Sequence, residues 1–296
     1  MPDLLAVDAP DLGTVPVFME QLENSRATAT PAAWKENVRS DQSLKAWRYF
    51  LSLDPYTRWG LVKPRGYAGD ATLMDFAYKH SSVSRHVDNA GSLGKSLYEI
   101  TAAAPQSQSA RQRIQVMRDL ITQMVTGEPA LRIVSFAAGH ARELERLDPD
   151  VRSRIARYTA IDVDPISLRE AASSAGAIAF TGHNANVIRD DLSHVELGTL
   201  VYSLGLFDYL RDNIAEKVLE KMLSVTELPG RCVVANLAPD AANLGYCEAI
   251  MDWWMITRSA DDLVRLGVSA TAELSCRSQV SVTRHGCFNY LSIEIS

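Results

Sequence analysis

Apolar positions in the first 127 residues recur at helical spacing. Val15 to Leu22 predicts a short helix, and Pro31-Ala32-Ala33-Trp34 begins another, with Thr30 as N-cap and proline at the first position. Leu44, Trp47 and Leu51 mark an amphipathic helix within Ser43–Leu53, ended by Asp54-Pro55. Helical patterns follow at Ala71–Tyr78, Ser92–Thr101 and Ser109–Thr126, the last with an apolar stripe of Ile114, Met117, Leu120, Ile121 and Met124. Gly127-Glu128-Pro129 breaks this run, and a domain boundary is placed there. Strand patterns then begin at 131–136, 157–161, 177–180, 199–203 and 231–236, with helical stretches at 141–147, 165–174 and 213–226 between them. Such alternation predicts an α/β fold on a parallel sheet. After 236, helices are expected at Gly245–Ser259 and Ala260–Leu266. Strands Glu273–Arg284 and Phe288–Ile295 follow, joined at His285-Gly286 as an antiparallel hairpin.

Within this pattern the stretch LRIVSFAAGHARE, Leu131 to Glu143, holds the clearest candidate chemistry. An apolar strand breaks into the small residues Ala137-Ala138-Gly139 and continues as a polar helix from Ala141. Strand, small-residue turn and helix begin a nucleotide-binding βαβ unit, in which small side chains let a ligand approach the backbone. The next strand ends in Asp162, 23 residues beyond Gly139. An acid there can accept both hydroxyls of a ribose.

Composition narrows the class. The chain has 296 residues, with 47% hydrophobic and 22% charged residues, as expected of a globular protein with a sizeable core. A net charge of −6 argues against nucleic acid held through phosphate contacts. No apolar run reaches the ~18 residues of a membrane span, and the N-terminus lacks the basic start and apolar core of a secretory signal, so a cytoplasmic location is expected. Cys232, Cys247, Cys276 and Cys287 show no CxxC spacing and read as reduced core thiols, not zinc ligands.

Residues 131–296 resemble the class I S-adenosylmethionine-dependent methyltransferases, whose Rossmann-like seven-stranded sheet closes with an antiparallel hairpin. The family's first motif is an acid followed by three glycines at alternate positions. Here it stands as Ser135, Ala137, Gly139 and Ala141, so only one glycine is kept and the acid is missing. The resemblance implies S-adenosyl-L-methionine as cofactor. It places Ala137, Gly139, Arg142, Asp162, Val163, Asn184, Ala185, Ser203 and Leu204 around the donor, with Tyr67 added from the upstream loop. KPRGYAGD, SLGLFDYL and YCEAIMDWWMITRS are similar to a bacterial subgroup described as 3-hydroxypalmitate methyl ester synthases. Prenyl diphosphate methyltransferases share the general arrangement. The implied organisation is a helical cap or substrate region at 1–127, followed by a donor-binding domain at 128–296.

Methyl transfer from a sulfonium is an in-line displacement, so the protein must hold the donor, exclude water and align the acceptor. A carboxylate acceptor needs no base. A phenol or amine benefits from one, and an alkene acceptor would need an aromatic face for its carbocation. Asp208 and Tyr209, after the fourth strand, are either catalytic or an N-cap and a packed aromatic. Glu248 and Asp252, four apart on the expected helix, share either a solvated face or a base. Trp253, Trp254, Tyr246 and Arg258 are substrate contacts or core and surface residues. Arg65 and Tyr67, in the loop of residues 63–70, face a ligand, or Arg65 and Asp70 cap helices or pair with each other. Lys63 and Arg65 would meet an anion. His140 reads as a spacer or cap, and His183 as a loop residue or an adenine neighbour. The expected substrate is a small, anionic, partly apolar metabolite. A fatty acid-like carboxyl group is the first choice and a prenyl diphosphate the second; no motif specifies Mg2+, and only the diphosphate leaves it open. The eroded first motif also fits a donor-binding protein without turnover, and the strand–turn–helix with its acid is shared with NAD-dependent oxidoreductases. Nothing in the pattern decides for or against a homo-oligomer.

Overall fold

The computed structural model describes residues 10–127 and 130–296. The readings of the first nine residues and of the Glu128-Pro129 break, with the domain boundary drawn there, fall outside these. In chain order the first helices are α1 (Val15–Thr28), α2 (Pro31–Ser40), α3 (Leu44–Leu51), α4 (Pro55–Val62), α5 (Ala71–Tyr78), α6 (Ser84–Asp88), α7 (Gly91–Ala103) and α8 (Pro105–Gly127). From Leu131 strands and helices alternate: β1 (Leu131–Phe136), α9 (Pro149–Ser153), β2 (Ile155–Asp162), α10 (Pro165–Ala175), β3 (Phe180–Asn184), β4 (Gly198–Ser203), α11 (Asp212–Ser224), β5 (Thr226–Leu237), α12 (Leu244–Ala249), α13 (Ala260–Thr271), β6 (Ser278–His285) and β7 (Phe288–Ile295).

The chain divides into two compact units. One is helical and holds, of the described residues, 10–111 with 240–255. The other, 112–239 with 256–296, carries the sheet. The division therefore falls inside α8, not at its end, and the segment after β5 belongs with the N-terminal helices.

The sheet runs β3-β2-β1-β4-β5-β7-β6, with β7 antiparallel to β5 and to β6 and all other pairings parallel. It has the Rossmann-like, seven-stranded topology with a closing hairpin that the resemblance implies. β4 is buried along its whole length, as expected of a central parallel strand covered on both faces. Alternation sends Val134 and Phe136 to the side packed with Leu219, Met222 and Leu263 of α11 and α13. It sends Leu131 and Ile133 to the side packed with Met117 and Ile121 of α8 and Ala171 of α10.

In the helical unit, local capping chemistry fixes the starts of α2, α4 and α5. Thr30 accepts from the Ala33 N–H, and Asp70 accepts from Leu73 and from the Trp59 indole. Asp54-Pro55 starts the unanticipated α4 as well as ending α3: the Asp54 carboxylate takes the N–H groups of Tyr56 and Thr57. Phe18 stacks on Trp47 with centroids 3.8 Å apart.

α12 is much shorter than the expected Gly245–Ser259 helix. Asp252 adopts φ +48°, and the Trp253 N–H turns back to the Cys247 carbonyl at 2.8 Å. Consequently Glu248 and Asp252 do not share a helix face. Asp252 pairs with Lys63, while Glu248 lies buried against Arg26. Two smaller shifts also stand against the sequence pattern: the third strand is 180–184, not 177–180, and the first hairpin strand begins at Ser278.

α12 packs on α1 so closely that a Cβ on Gly245 would stand 2.7 Å from the Leu22 carbonyl oxygen and 3.0 Å from the Glu23 nitrogen. Both are backbone atoms and cannot swing aside. Gly245→Ala is expected to lower stability by ~1–3 kcal/mol in urea denaturation; an unchanged midpoint would contradict this packing.

Candidate functional site

The carboxyl ends of β1 to β4 carry the candidate site, all within the sheet unit. Beyond β1, the backbone takes φ +51° at Ala137, +55° at Gly139 and +51° at Ala141. Left-handed geometry thus recurs at the three alternate positions where the family motif has glycine, although two of them are alanine. Each alanine held there costs ~1–2 kcal/mol relative to ordinary backbone.

The turn is closed by Asp162 at the tip of β2. Its Oδ2 accepts the Gly139 N–H at 2.8 Å and its Oδ1 accepts the Asp164 N–H at 2.9 Å. The carboxyl is buried, which pushes its pKa up against the pull of these two donors. Val163 beside it is half exposed, an apolar surface next to an acid. Asn184, at the end of β3, donates its side-chain amide to the carbonyls of Asp162 and Val163, and Ala185 N–H also reaches Asp162 O. Ser203, at the end of β4, donates to the Phe136 carbonyl at 2.9 Å. Leu204, next to it, accepts from Arg113 of α8 at 2.6 Å. Ala137, Gly139, Asp162, Val163, Asn184, Ala185, Ser203 and Leu204 therefore gather at one end of one sheet.

The polar helix expected after the turn is absent. Residues 142–144 form a single 3-10 turn, with the Leu144 and Glu145 N–H groups bonding three residues back, and Arg142, Glu143 and Leu144 are buried. Arg142, expected around the donor, bonds within the protein. Its guanidinium binds Glu145 and Ser174 through one nitrogen and Glu170 and the His140 ring through the other, joining the turn to α10. His140 is buried in that contact, as the spacer reading expects.

Asp208 lies in a 3-10 turn beyond β4 and caps no helix; the N-cap position of α11 is Arg211. Its Oδ1 accepts from the Leu237 N–H and the Asn236 amide, each at 2.7 Å, tying the ends of β4 and β5 together. Burial pushes this carboxyl up to about 6 despite those donors and the charges of Arg113 and Arg258. Arg258 is not available to a substrate. Its Nε and Nη2 bind Asp212, Nη1 binds the Phe207 carbonyl and Asn236, and Nη2 also binds the Leu210 carbonyl, which uses every guanidinium N–H. Tyr209 is half-buried beside Asp208.

The remaining predicted residues belong to the helical unit. Glu248 is buried and its Oε2 accepts from Arg26 at 2.8 Å and from the Trp34 indole at 2.6 Å. Tyr246 is buried with its hydroxyl 2.6 Å from Thr57. Trp253 is buried as well, matching the packing alternative; Trp254 is half-buried, with Lys35 over its ring and its indole bonded to Asp252. These contacts hold the segment after β5 onto the helices. Arg65 is half-buried and Tyr67 exposed on the loop of residues 63–70.

A polar group that escaped the sequence reading lies beneath the turn, where Glu143, Tyr158, Tyr202 and Ser135 meet in the core. The available signal was a tyrosine in each strand flanking β1, with a carboxyl a few residues past the turn. A cleft of about 530 Å³ opens at the opposite end of the parallel strands, lined by Thr199, Arg231, Arg277 and Glu294, and includes none of the predicted site residues.

No protein-family model matches the chain, and no curated protein matches it. Among solved structures it is similar to one described as a possible exported protein from Bordetella parapertussis. The two are 17% identical, with 96% of this chain and 97% of that one covered and a TM-score of 0.64. It also aligns with magnesium protoporphyrin IX methyltransferase from Synechocystis PCC 6803 with bound SAH, at 14% identity over 64% of this chain and 86% of that one, TM-score 0.48. The N-methyltransferase NodS from Bradyrhizobium japonicum aligns at 13% identity over 64% of this chain and 96% of that one, TM-score 0.43.

Ala137 is at positive φ and Ala138 is not. Ala137→Gly is therefore expected to be neutral or stabilising by up to ~1 kcal/mol, whereas Ala138→Gly should cost ~0.5–1 kcal/mol. Comparing their thermal midpoints checks the turn geometry. Asp208 gives a pH signature of opposite sense to an ion-paired carboxylate. With its folded pKa raised to about 6, the native state holds the proton more tightly than the unfolded chain. The stability it contributes is complete below about pH 4 and is lost as pH rises through about 6, by roughly 3 kcal/mol. Urea melts of wild type and Asp208→Asn across pH 4–7.5 should converge or cross by that amount; a constant difference would refute it.

Proposed function

We propose that the chain is an S-adenosylmethionine-dependent methyltransferase acting on a small, anionic, partly apolar metabolite. The observation that carries this reading is the left-handed turn at residues 137–141, closed onto the buried Asp162 carboxylate through the Gly139 N–H. Alanine adopts the same φ on either side, so conformation alone does not require glycine at 139. With no Cβ, Gly139 leaves room for a ligand to pass close to the backbone there. The site fits the donor by its chemistry: Asp162 keeps lone pairs for ribose hydroxyls beyond its two backbone bonds, and half-exposed Val163 offers an apolar face for a base.

When bound, the donor supplies an activated methyl group on a sulfonium. The chain's part is to fix the ribose at Asp162, hold the ends of β1 and β4 in register through Ser203 and Phe136, and keep the floor dry. Carboxyl O-methylation is favoured as the reaction. It needs no base, and Glu248, the base foreseen for other acceptors, is held by Arg26 and Trp34. C-methylation of a prenyl diphosphate, with Mg2+ serving the diphosphate, is the second reading. A donor-binding protein without turnover is the third, supported by the alanines at 137 and 141. A cytoplasmic location accompanies the proposal.

Calorimetric titration of S-adenosylhomocysteine into wild type and Asp162→Ala tests the site. Wild type should bind at micromolar Kd and the variant at least ~30-fold more weakly, since two ribose hydrogen bonds to a charged acceptor are lost. A folded wild type that does not bind would sink the reading. Binding followed by an acceptor screen of fatty acids and prenyl diphosphates separates the three alternatives.

A further inference from the structure

We propose that Glu143 is a positioning residue for the donor, anchoring the 137–141 turn from beneath through the phenols of Tyr158 and Tyr202. The inference rests on the donor site proposed above.

The strand register builds the anchor. Ile133 pairs with Tyr158 on β2, and Ser135 pairs with Tyr202 on β4, so both tyrosines lie on the same face of the sheet as Ser135. Ser135 is small, and the two hydroxyls meet across β1 at 2.9 Å. Glu143 enters the space they leave. Its Oε1 accepts from Tyr158 at 3.2 Å and from Tyr202 in a shorter bond, while its backbone carbonyl accepts from Arg118. Arg113 adds a positive charge facing the carboxyl, and Ser135 bonds the Tyr158 hydroxyl. All four polar residues are buried.

Glu143 is two residues past Ala141, whose positive φ directs the chain inward. The turn is thus pinned on one side by Asp162 at Gly139 and on the other by Glu143 in the core. Burying a carboxyl here raises its pKa, and stability alone would be served as well by an apolar residue of equal volume. A fixed hydrogen-bonded anchor under a turn gains by keeping that turn in one geometry, which a ligand site needs.

Relocating the acid provides the test. Ser135 touches the same phenol, so an aspartate there can accept from it in place of Glu143. S-adenosylhomocysteine Kd and thermal midpoint are measured for wild type, Glu143→Leu, which has no acceptor for the phenols, Ser135→Asp and the double variant. Glu143→Leu should bind about tenfold more weakly with its thermal transition retained, and the double variant should recover to within about threefold of wild type. Ser135→Asp alone should lower the midpoint, because two carboxyls then share one buried site. If Glu143→Leu does not fold, Tyr202→Phe reads the same contact and should weaken binding about threefold. Wild-type affinity in the folded Glu143→Leu or Tyr202→Phe, or no recovery in a folded double variant, overturns the anchoring role while leaving the donor site standing. Absence of binding by wild type overturns the donor site itself, and the anchoring role with it.

Discussion

The bond from the Gly139 N–H to the Asp162 carboxylate is the constraint on which the candidate site depends. It joins the turn leaving β1 to the tip of β2, two segments that neighbour each other only because the strands pair in parallel. The bond also holds a carboxylate in a buried place, which costs free energy unless donors meet it. Two backbone N–H groups do so, and the acid is fixed at the sheet edge where open α/β folds receive ligands.

The rest of the sheet unit keeps that edge in register. Ser203 ties β4 to β1, Asp208 ties β4 to β5, and Arg258 fixes the returning chain with every N–H of its guanidinium. These buried polar groups bond one another or the backbone, so they order the strand ends without leaving costly unpaired atoms. The same economy describes three of the predicted residues. Arg142, Arg258 and Glu248 have the chemistry of ligand contacts, but in the folded chain their hydrogen bonds close on neighbouring side chains and carbonyls.

Much of the site was legible along the chain. Gly139 and Asp162 stand at their expected places because strand, turn and strand are local, and their spacing follows from the length of one βαβ unit. The closing hairpin was legible for the same reason: alternating strands around His285-Gly286 specify their own pairing. Glu143, Tyr158 and Tyr202 were not legible as a group, because their meeting depends on which strands flank β1. A linear pattern shows that a tyrosine sits in a buried strand, but not which carboxyl its hydroxyl finds.

The sequence by itself determined the helix caps, the alternation of strands and helices, the closing hairpin and the turn with its acid. Each rests on interactions within a few residues or on a periodicity of 2 or 3.6. Tertiary structure decided that residues 240–255 join the N-terminal helices, that the chain beyond Ala141 makes a 3-10 turn, and that Glu248, Arg258 and Tyr246 are internal. The physical reason is that a charged or hydroxyl side chain has the same local signature whether it faces a ligand or a buried partner. Only contacts between residues such as Arg26 and Glu248, 222 apart in the chain, separate the two.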